Sequence, residues 1–452
     1  MKPVFEGSNP AANGLQRPAR TLLQTATILL GFTVPISVAL DNVLLAVLLL
    51  GLLFNARAVW QIAAQHPVAR AAYLLFFVLF AAMFYGATPL REAAGALGKY
   101  ADLAFIPMFM LMLSNEALRR RAQGAFLAAM GLTLLLSYLV GLHGLPVQPW
   151  MSVVATPDNP VIFHSHITQN NMMAFAVFLA LLNLREATSR AVQWAWGLFA
   201  VLAGINVLFM VLGKTGYLIL LVLLGWFSWA TLARYVRGRG KVWGWRQGVA
   251  LMLVLAVLAV TAFFASPRLH DRVGLIASEL RAWQPNHAEL TSSTAARLDF
   301  YYNSLKIVQQ YPLFGAGTGG FAGAFAEQTR GTEAFQTTNP HNEYLMITTQ
   351  SGLIGLVLLL YLFYTLWRYA PLLGNIFEQD AARGLVLAYM VNGAFNSALH
   401  DHADGLFFAF MAAMLFANLK PVLSLSKRPD LRPSTSSGQA PRSGVEGGSE
   451  RG

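Results

Sequence analysis

One histidine is placed where it could perform acid–base chemistry. Residues 266–342 form the only long polar interval between the apolar segments of the sequence, and this interval ends in Thr338-Asn339-Pro340-His341-Asn342. A neutral imidazole can take a proton from an attacking hydroxyl near neutral pH, so His341 is a candidate general base. The residues alone support equally well a histidine that caps or packs against the next helix, and both interpretations stay open.

Cationic side chains in and near this interval could bind phosphate. Guanidinium groups bind phosphate oxygens through two hydrogen bonds and keep their charge when they are partly desolvated. Lys214 lies between two apolar segments joined by almost no loop, where a cation is costly unless it has a role or a partner. Snorkelling of this side chain to the interface is the alternative. The candidate phosphate-binding residues are Arg91, Lys214, Arg272 and Arg297.

Two histidine-containing motifs have a weaker claim to chemistry. They are His164-Ser165-His166 and His400-Asp401-His402-Ala403-Asp404, and imidazole and carboxylate groups at short spacing can ligate metals. A five-residue turn rarely supplies all the ligands of one ion, however. We therefore expect hydrogen-bonded polar turns and no metal.

A glycine-rich stretch follows the middle of the polar interval. Gly315-Ala316-Gly317-Thr318-Gly319-Gly320 superficially resembles a nucleotide-binding loop, but no βαβ unit is predicted around it. We predict a sharp turn between helices, whose exposed N–H groups could still contact a phosphate.

Composition predicts an all-α integral membrane protein. The chain has 452 residues, of which 56% are hydrophobic and only 12% are charged, whereas soluble domains carry about 25% charged residues. The sequence also contains many apolar runs of about 20 residues, and runs of this length indicate transmembrane helices. We predict about 12 such helices, near 21–40, 42–56, 70–88, 99–115, 123–141, 166–184, 192–212, 215–233, 247–265, 343–367, 382–400 and 404–420.

The apolar segments divide the chain into five regions. We predict a cytoplasmic N-terminal segment (1–20), transmembrane helices 1–9 (21–265), an outer loop (266–342), transmembrane helices 10–12 (343–423) and a disordered cytoplasmic tail (424–452). The first two segments are expected to form a hairpin through Asp41-Asn42. The outer loop is expected to contain amphipathic helices over Arg268 to Trp283 and Thr294 to Gln310, with Pro312 ending the second.

The distribution of basic residues sets the orientation. With the N-terminus in the cytoplasm, 23 of the 32 Lys and Arg residues fall on the cytoplasmic side, and six lie in the outer loop. Basic residues concentrate in cytoplasmic loops of membrane proteins, so the loop 266–342 is predicted to face the periplasm or the extracellular side. The same bias accounts for the net charge of +11 without a nucleic-acid partner.

The layout and three motifs together resemble the O-antigen ligase and polymerase superfamily. The motifs are Arg297, Pro312-Leu313-Phe314-Gly315-Ala316-Gly317 and Pro340-His341-Asn342-Glu343-Tyr344-Leu345. The resemblance covers roughly residues 20–420 and is most specific over 290–353. It implies a glycosyltransferase C-like membrane fold in the bacterial inner membrane. It also implies inverting, metal-independent transfer, without a cofactor, from an undecaprenyl-diphosphate-linked polysaccharide at the periplasmic face.

The resemblance assigns roles to individual residues. It implies that His341 is the catalytic base and that Arg297 binds the diphosphate. Lys214 stands where the family usually has an arginine, which keeps the charge but loses the planar fork. Arg272 and Arg91 are the further candidates for the diphosphate site.

The acceptor distinguishes the functions that this resemblance allows. An O-antigen ligase would transfer the glycan to the lipid A core, whereas a polymerase or a protein-glycan ligase would use the same chemistry on another acceptor. A transporter or flippase is the alternative from a different class. Paired broken helices, internal symmetry and charges at mid-span would be its signs, and the sequence shows no internal repeat.

Overall fold

The computed structural model describes residues 17–239, 274, 278–281, 283–286 and 293–419, and a helix occupies each of the eleven predicted apolar segments within these ranges. The described helices of eight or more residues are α1 (Arg17–Thr33), α2 (Val38–Gln65), α3 (Pro67–Ala82), α4 (Leu90–Gly98), α5 (Asp102–Met112), α6 (Glu116–Gly141), α7 (His166–Glu186), α8 (Arg190–Ile205), α9 (Lys214–Gly238), α10 (Ser293–Gln310), α11 (Phe321–Gln328), α12 (Glu343–Tyr369), α13 (Ile376–Phe395) and α14 (His402–Phe416). The described ranges contain no strand, as the all-α prediction requires.

Six of the described helices are long and apolar enough to cross a membrane: α2, α6, α7, α8 with its π-helical extension to Met210, α9, and α12 with its extension to Leu372. Two shorter apolar helices, α3 and α14, accompany them. The chain is therefore a multi-pass membrane protein, and the number of twelve spans stays a prediction. The predicted span 247–265, the predicted tail 424–452 and most of the predicted helix from Arg268 to Trp283 lie outside the described residues.

The first hairpin turns earlier than the sequence suggested. Its turn lies between Thr33 and Val38 rather than at Asp41-Asn42, and α2 runs for 28 residues. The side chain of Ser37 caps α2 by accepting a hydrogen bond from the Leu40 N–H at 3.4 Å. Asp41 is fully buried inside the first turn of α2, where it accepts a 2.6 Å hydrogen bond from the Thr33 hydroxyl. Because this internal partner accommodates the carboxylate, Asp41 can lie within the helix.

Helix α12 is broken in its middle by Gly352. This residue has φ 66° and ψ −165°, a backbone conformation that only glycine adopts without strain. The break leaves carbonyl and N–H groups of α12 without partners inside the helix. Residues 312–317, which lead into the glycine-rich turn, form hydrogen bonds with these groups. Ala316 N–H donates to the Thr349 carbonyl at 2.8 Å, and Gly317 N–H donates to the Gln350 carbonyl at 2.9 Å. The apolar run 343–367 gave no sign of this break.

The glycine-rich turn is a packing element. Besides the two bonds to α12, Thr318 N–H donates to the carbonyl of Ala82 at the end of α3 at 3.1 Å, and Gly319 N–H donates to the Gln350 side chain at 2.8 Å. Gly315 and Gly320 donate to carbonyls within the preceding turns, at 3.1 and 2.9 Å. All six N–H groups of residues 315–320 therefore have protein acceptors, which supports the predicted sharp turn and leaves none of these groups for a phosphate.

The two ends of the helix bundle differ in chemistry. At one end, which we call the Asp380 end, Asp380 of α13 pairs with Arg185 at 2.8 Å and with Arg234 at 2.6 Å. Nearby on α13, Glu378 pairs with the buried Arg119 at 3.0 Å. These three arginines lie at helix ends, in α6, α7 and α9, and are among the basic residues that the sequence assigned to the cytoplasmic side. Removing one partner of a buried pair leaves an uncompensated charge, so these pairs fix α13 against α6, α7 and α9.

The opposite end, which we call the His341 end, is joined by hydrogen bonds between neutral polar groups. The Asn342 amide at the start of α12 donates to the Ala394 carbonyl near the end of α13 at 2.9 Å. The Asn396 amide, just after α13, donates to the Thr215 hydroxyl at the start of α9 at 3.2 Å. These bonds bring the polar segments that flank α9, α12 and α13 together at one end of the bundle.

The break in α12 generates a stability prediction. Gly352→Ala should lower the free energy of unfolding by more than about 2 kcal/mol, since alanine is strained at positive φ and its Cβ would clash with the Leu313 carbonyl. Gly197→Ala in α8 is the matched control, because no atom lies within 4 Å of its added Cβ. Thermal unfolding of the purified protein in detergent should show a lower midpoint for the first variant alone. Equal midpoints would contradict the packing role of Gly352.

Candidate active site at the His341 end

The backbone of His341 is held from both sides. Its N–H donates to the side-chain oxygen of Asn339 at 2.8 Å, and its carbonyl accepts a hydrogen bond from the Tyr301 hydroxyl at 3.1 Å. The residue has φ 52°, a left-handed conformation that is uncommon for residues other than glycine and clusters at functional sites. Asn342 then caps α12 by accepting from the Leu345 N–H at 3.0 Å. His341 is therefore presented by a short, fixed segment at the start of a helix.

The imidazole of His341 is half-buried and favours its neutral form. Its ring lies against the ring of Phe300, with centroids 6.2 Å apart and planes inclined by 26°. Burial lowers the pKa of His341 from its ordinary value of 6.5, and the positive charge of Arg297 lowers this pKa further. No described residue forms a hydrogen bond with the ring nitrogens. A neutral, unengaged imidazole of this kind can accept a proton.

Arg297 supplies a partly desolvated positive charge next to this imidazole. Its side chain is half-buried on α10, and burial lowers its pKa, although an arginine stays protonated in proteins. No carboxylate of the described residues forms an ion pair with it. A half-buried guanidinium without an acidic partner is suited to bind an anionic ligand.

Tyr301 and His166 complete the surroundings of Arg297. Tyr301 lies one helical turn after Arg297 on α10, and its hydroxyl lies 3.1 Å from the carbonyl of His341 and 3.2 Å from that of Ala394. It thereby connects α10 to both α12 and α13. His166, the first residue of α7, is close enough to Arg297 for the two groups to interact electrostatically. The structure therefore gathers two histidines, one arginine and one tyrosine.

Lys214 lies at the same end of the bundle as His341. It is the exposed first residue of α9, and it forms no ion pair with a described residue. The next residue, Thr215, accepts the hydrogen bond from Asn396 described above. Lys214 therefore belongs to the polar end of α9, where the helix N-terminus adds partial positive charge.

The small residues around Lys214 have a packing role. The side chain of Asn170 in α7 donates to the carbonyls of Val211 and Gly213, at 3.4 and 3.5 Å. A Cβ on Gly213 or on Gly216 would collide with the Asn170 side chain. These glycines let α7 approach the start of α9 closely, which fixes the position of Lys214.

The other two predicted phosphate ligands are Arg91 and Arg272. Arg91 is an exposed residue of α4 without an ion pair to any described residue. Helix α4 packs instead against the glycine-rich turn, where a Cβ on Gly319 would lie 3.2 Å from the Cα of Ala93. Arg272 lies outside the described residues.

Several residues that support the site were not singled out from the sequence. Asn339 accepts from the Ser397 hydroxyl at 2.8 Å, which ties the His341 segment to the turn after α13. Glu343, fully buried, accepts from the Leu399 N–H at 2.7 Å and anchors the same turn to α12. The sequence contained one indication of these roles, since the polar residues Asn396 and Ser397 lie near the end of the predicted apolar segment 382–400.

The two histidine motifs lie at the starts of α7 and α14, where their polar side chains form hydrogen bonds. In α14, Asp404 accepts hydrogen bonds from the Thr168 hydroxyl at 3.0 Å and from the Asn171 amide at 2.5 Å. His402 Nδ1 lies 3.2 Å from the carboxylate of Asp102. In the parts of the chain that the structure describes, no three His, Asp or Glu side chains are arranged to hold a metal ion.

Comparisons with known proteins agree with the motifs. Residues 198–360 match the family model described as O-antigen ligase, and this range includes Lys214, Arg297 and His341. An uncharacterized protein of Haemophilus influenzae (strain ATCC 51907 / DSM 11121 / KW20 / Rd) is 24% identical over 123 residues, which are 26% of this chain and 31% of the relative. The chain thus matches less than a third of that relative's length. The family match confirms the resemblance of this membrane protein, over residues 198–360, to the O-antigen ligase-like superfamily.

Proposed function

We propose that this chain is an O-antigen ligase, an inverting glycosyltransferase that moves an undecaprenyl-diphosphate-linked O-antigen glycan onto the lipid A core. It acts at the periplasmic face of the bacterial inner membrane. The family match supports a membrane enzyme of the O-antigen ligase or polymerase type. The observation that carries the proposal is that Arg297, which has no acidic partner among the described residues, lies close enough to His341 for its charge to lower the pKa of the imidazole.

Arg297 binds the diphosphate of the donor in the proposed mechanism. The donor's lipid lies in the bilayer, and its diphosphate meets the guanidinium, with Lys214 at the start of α9 as a second cation. Arg272 and Arg91 are further candidates for the same diphosphate. Negative charge develops on the leaving phosphate as its bond to the sugar breaks. Fixed positive groups that stabilise this charge commonly make the largest contribution to such catalysis.

His341 acts as the base in the proposed mechanism. It removes the proton from an acceptor hydroxyl, whose oxygen attacks the anomeric carbon from the face opposite the diphosphate. The new carbon–oxygen bond forms while the bond from the anomeric carbon to the phosphate oxygen breaks. Undecaprenyl diphosphate leaves with the electron pair, and the configuration at the anomeric carbon inverts. The proposed reaction needs neither a metal nor a nucleotide, since Arg297 supplies the positive charge.

A polymerase or a protein-glycan ligase with the same chemistry is the alternative within this class. It would differ only in the acceptor that approaches His341. A transporter or flippase has less support, because transporter sites are typically built where paired helices are broken. The break in α12 is closed by the backbone of residues 312–317 instead.

His341→Asn should abolish glycan transfer while the protein still folds. Asparagine tolerates the left-handed backbone that His341 adopts at φ 52°, so the variant removes the imidazole without adding strain. We expect transfer to fall by roughly a hundredfold or more, the typical contribution of a general base. Transfer of a carrier-linked glycan to lipid A–core by the purified protein measures the loss.

His143→Asn is the matched control, because His143 is exposed and also has positive φ, 59°. This variant should transfer glycan at the rate of the unmodified protein. Normal transfer by His341→Asn would refute the assignment of the base.

The pH dependence should report the neutral imidazole. His341 must be unprotonated to act, and its pKa is lowered below 6.5 by burial and by Arg297. We therefore expect kcat/KM to be constant above pH 6.5 and to fall only below pH 6.5. In an Arg297→Ala variant, this fall should move to higher pH, because the positive charge that lowers the pKa of His341 is removed and only burial still lowers it. A fall centred above 6.5 in the unmodified protein would contradict this assignment.

Arg297→Ala should weaken use of the donor by about one to two orders of magnitude, since a charge-assisted contact to phosphate is worth about 1.5–3 kcal/mol. Arg281→Ala is the matched control, because Arg281 is an exposed arginine of the same outer interval. Initial rates at varied donor concentration should show a raised donor KM or a lowered kcat for Arg297→Ala alone. Equal effects of the two substitutions would refute the diphosphate role.

A further inference from the structure

A cavity of about 140 Å³ lies among the residues just before α7 and α14 and at the start of α2. It is bounded by the start of α2, the start of α7 and the turn before α14. Its lining consists of Val38, His164, Ser165, Thr168, Asp401, His402 and Ala403. Since a water occupies about 30 Å³ of liquid, this volume holds about five waters or one group of similar size. The proposed mechanism gives this cavity no role.

Two segments of the chain connect the cavity to the His341 site. In the first, His164, Ser165 and Thr168 line the cavity, whereas His166 interacts with Arg297. In the second, Asp401 and His402 line the cavity, whereas Ser397 bonds to Asn339, two residues before His341. Each segment therefore continues, within a few residues, from the cavity lining to a residue that interacts with the His341 site.

His164 offers a hydrogen-bond acceptor to the cavity. Its Nε2 lies 2.9 Å from the Val34 carbonyl, and because a carbonyl can only accept, Nε2 must carry the proton. Burial lowers the pKa of His164, so the ring is neutral. Its Nδ1 therefore remains an acceptor.

His402 and the carboxylates around it add further polar atoms. The Nδ1 atom of His402 lies 3.2 Å from the Asp102 carboxylate, whereas its buried Nε2 has no hydrogen-bond partner among the described residues. Behind it, Asp41 is fully buried, and its Oδ2 also has no partner there. Asp401 uses one oxygen to cap α14, accepting from Ala403 and Asp404 N–H at 3.1 and 3.2 Å. Unsatisfied buried polar atoms beside a cavity indicate a polar ligand.

The charge of the lining selects the kind of ligand. Among the described residues, no lysine or arginine lines the cavity, and Asp401 contributes a carboxylate. Sugar hydroxyls can donate to carboxylate and imidazole acceptors and accept from donors, whereas a phosphate would lack the guanidinium and ammonium groups that usually bind it. Arg297 interacts with His166, which is not a lining residue. Phosphate chemistry is thus assigned to Arg297 and saccharide chemistry to the cavity.

We propose that this cavity is the subsite for the acceptor saccharide, where it binds one unphosphorylated sugar residue through its hydroxyls. The inference rests on the proposed function, because it assigns the acceptor to one side of His341 and the donor diphosphate to the other. The sugar bound here orients its neighbour's hydroxyl, or its own, toward the imidazole of His341.

Direct binding tests the subsite without requiring transfer. The probe is the core oligosaccharide of rough lipopolysaccharide, freed of acyl chains and phosphate, added to the full chain in lipid nanodiscs. Saturation-transfer NMR gives its Kd. Asp401→Asn removes the charge but keeps a residue that caps helices well. Val38→Trp fills the cavity without altering any polar group. Asp158→Asn, at an exposed carboxylate of the loop before α7, is the matched control.

We expect Asp401→Asn to raise the Kd by roughly tenfold or more, as the loss of one hydrogen bond to a charged group does. Val38→Trp should raise the Kd at least as much, because it fills the cavity. Asp158→Asn should leave the Kd unchanged. An unchanged Kd in both cavity variants would overturn the proposal. So would binding of the phosphorylated core oligosaccharide alone, with none of this phosphate-free probe.

The His341→Asn variant separates this inference from the proposed function. It should bind the probe as the unmodified protein does, because His341 lies outside the cavity lining. If His341→Asn still transfers glycan, the proposed function fails. If it loses transfer while the cavity variants bind the probe normally, the subsite alone is wrong.

Discussion

A half-buried positive charge without an acidic partner is the constraint around which the His341 end is built. Among the described residues, no carboxylate neutralises Arg297, and a cation at the edge of an apolar bundle is costly unless it has a function. Its charge also helps to keep the imidazole of His341 neutral. Arg297 thus provides a binding site for an anion and also favours the neutral form of His341, which is the form that can act as a base. At the Asp380 end, by contrast, Arg185 and Arg234 each form an ion pair with the carboxylate of Asp380.

Hydrogen bonds to backbone groups and to side-chain amides hold this site in place within the bundle. In an apolar environment, a broken helix is tolerated only where other protein groups meet the released N–H and carbonyl groups. The glycine-rich turn does so for α12, which fixes the helix that begins just after His341. Asn339, Asn342 and Ser397 act similarly at the His341 segment itself. The rigidity of the site comes from many ordinary hydrogen bonds rather than from ion pairs.

The sequence predicted the elements better than their interruptions. Apolar runs located eleven of the described helices, and the polar cap near Thr294 with Pro312 gave the bounds of α10 closely. The short helices α4 and α11 were missed. The break at Gly352 was also missed, because an apolar run looks the same whether or not one glycine within it has positive φ. Asp41 was placed in a turn, since its partner Thr33 becomes a neighbour only after folding.

The candidate site was predictable in its residue types more than in its arrangement. His341 and Arg297 were marked by the polar interval and by resemblance, and the structure brings them together. Arg91 was a less sure candidate, and it is an exposed residue of α4, the helix that packs against the glycine-rich turn through Ala93. The supporting roles of Tyr301, Asn339 and Ser397 depend on contacts across three helices. Spacing within one segment does not encode such contacts.

The stereochemistry of a reconstituted reaction tests the central claim most directly. The purified full chain would be supplied with an undecaprenyl-diphosphate-linked glycan of known anomeric configuration and with lipid A–core, in the absence of any nucleotide. NMR of the product gives the configuration of the new linkage. Direct displacement assisted by His341 and Arg297 predicts the inverted configuration, with one undecaprenyl diphosphate released per glycan transferred. Retained configuration, or no transfer unless a nucleotide is added, would contradict it.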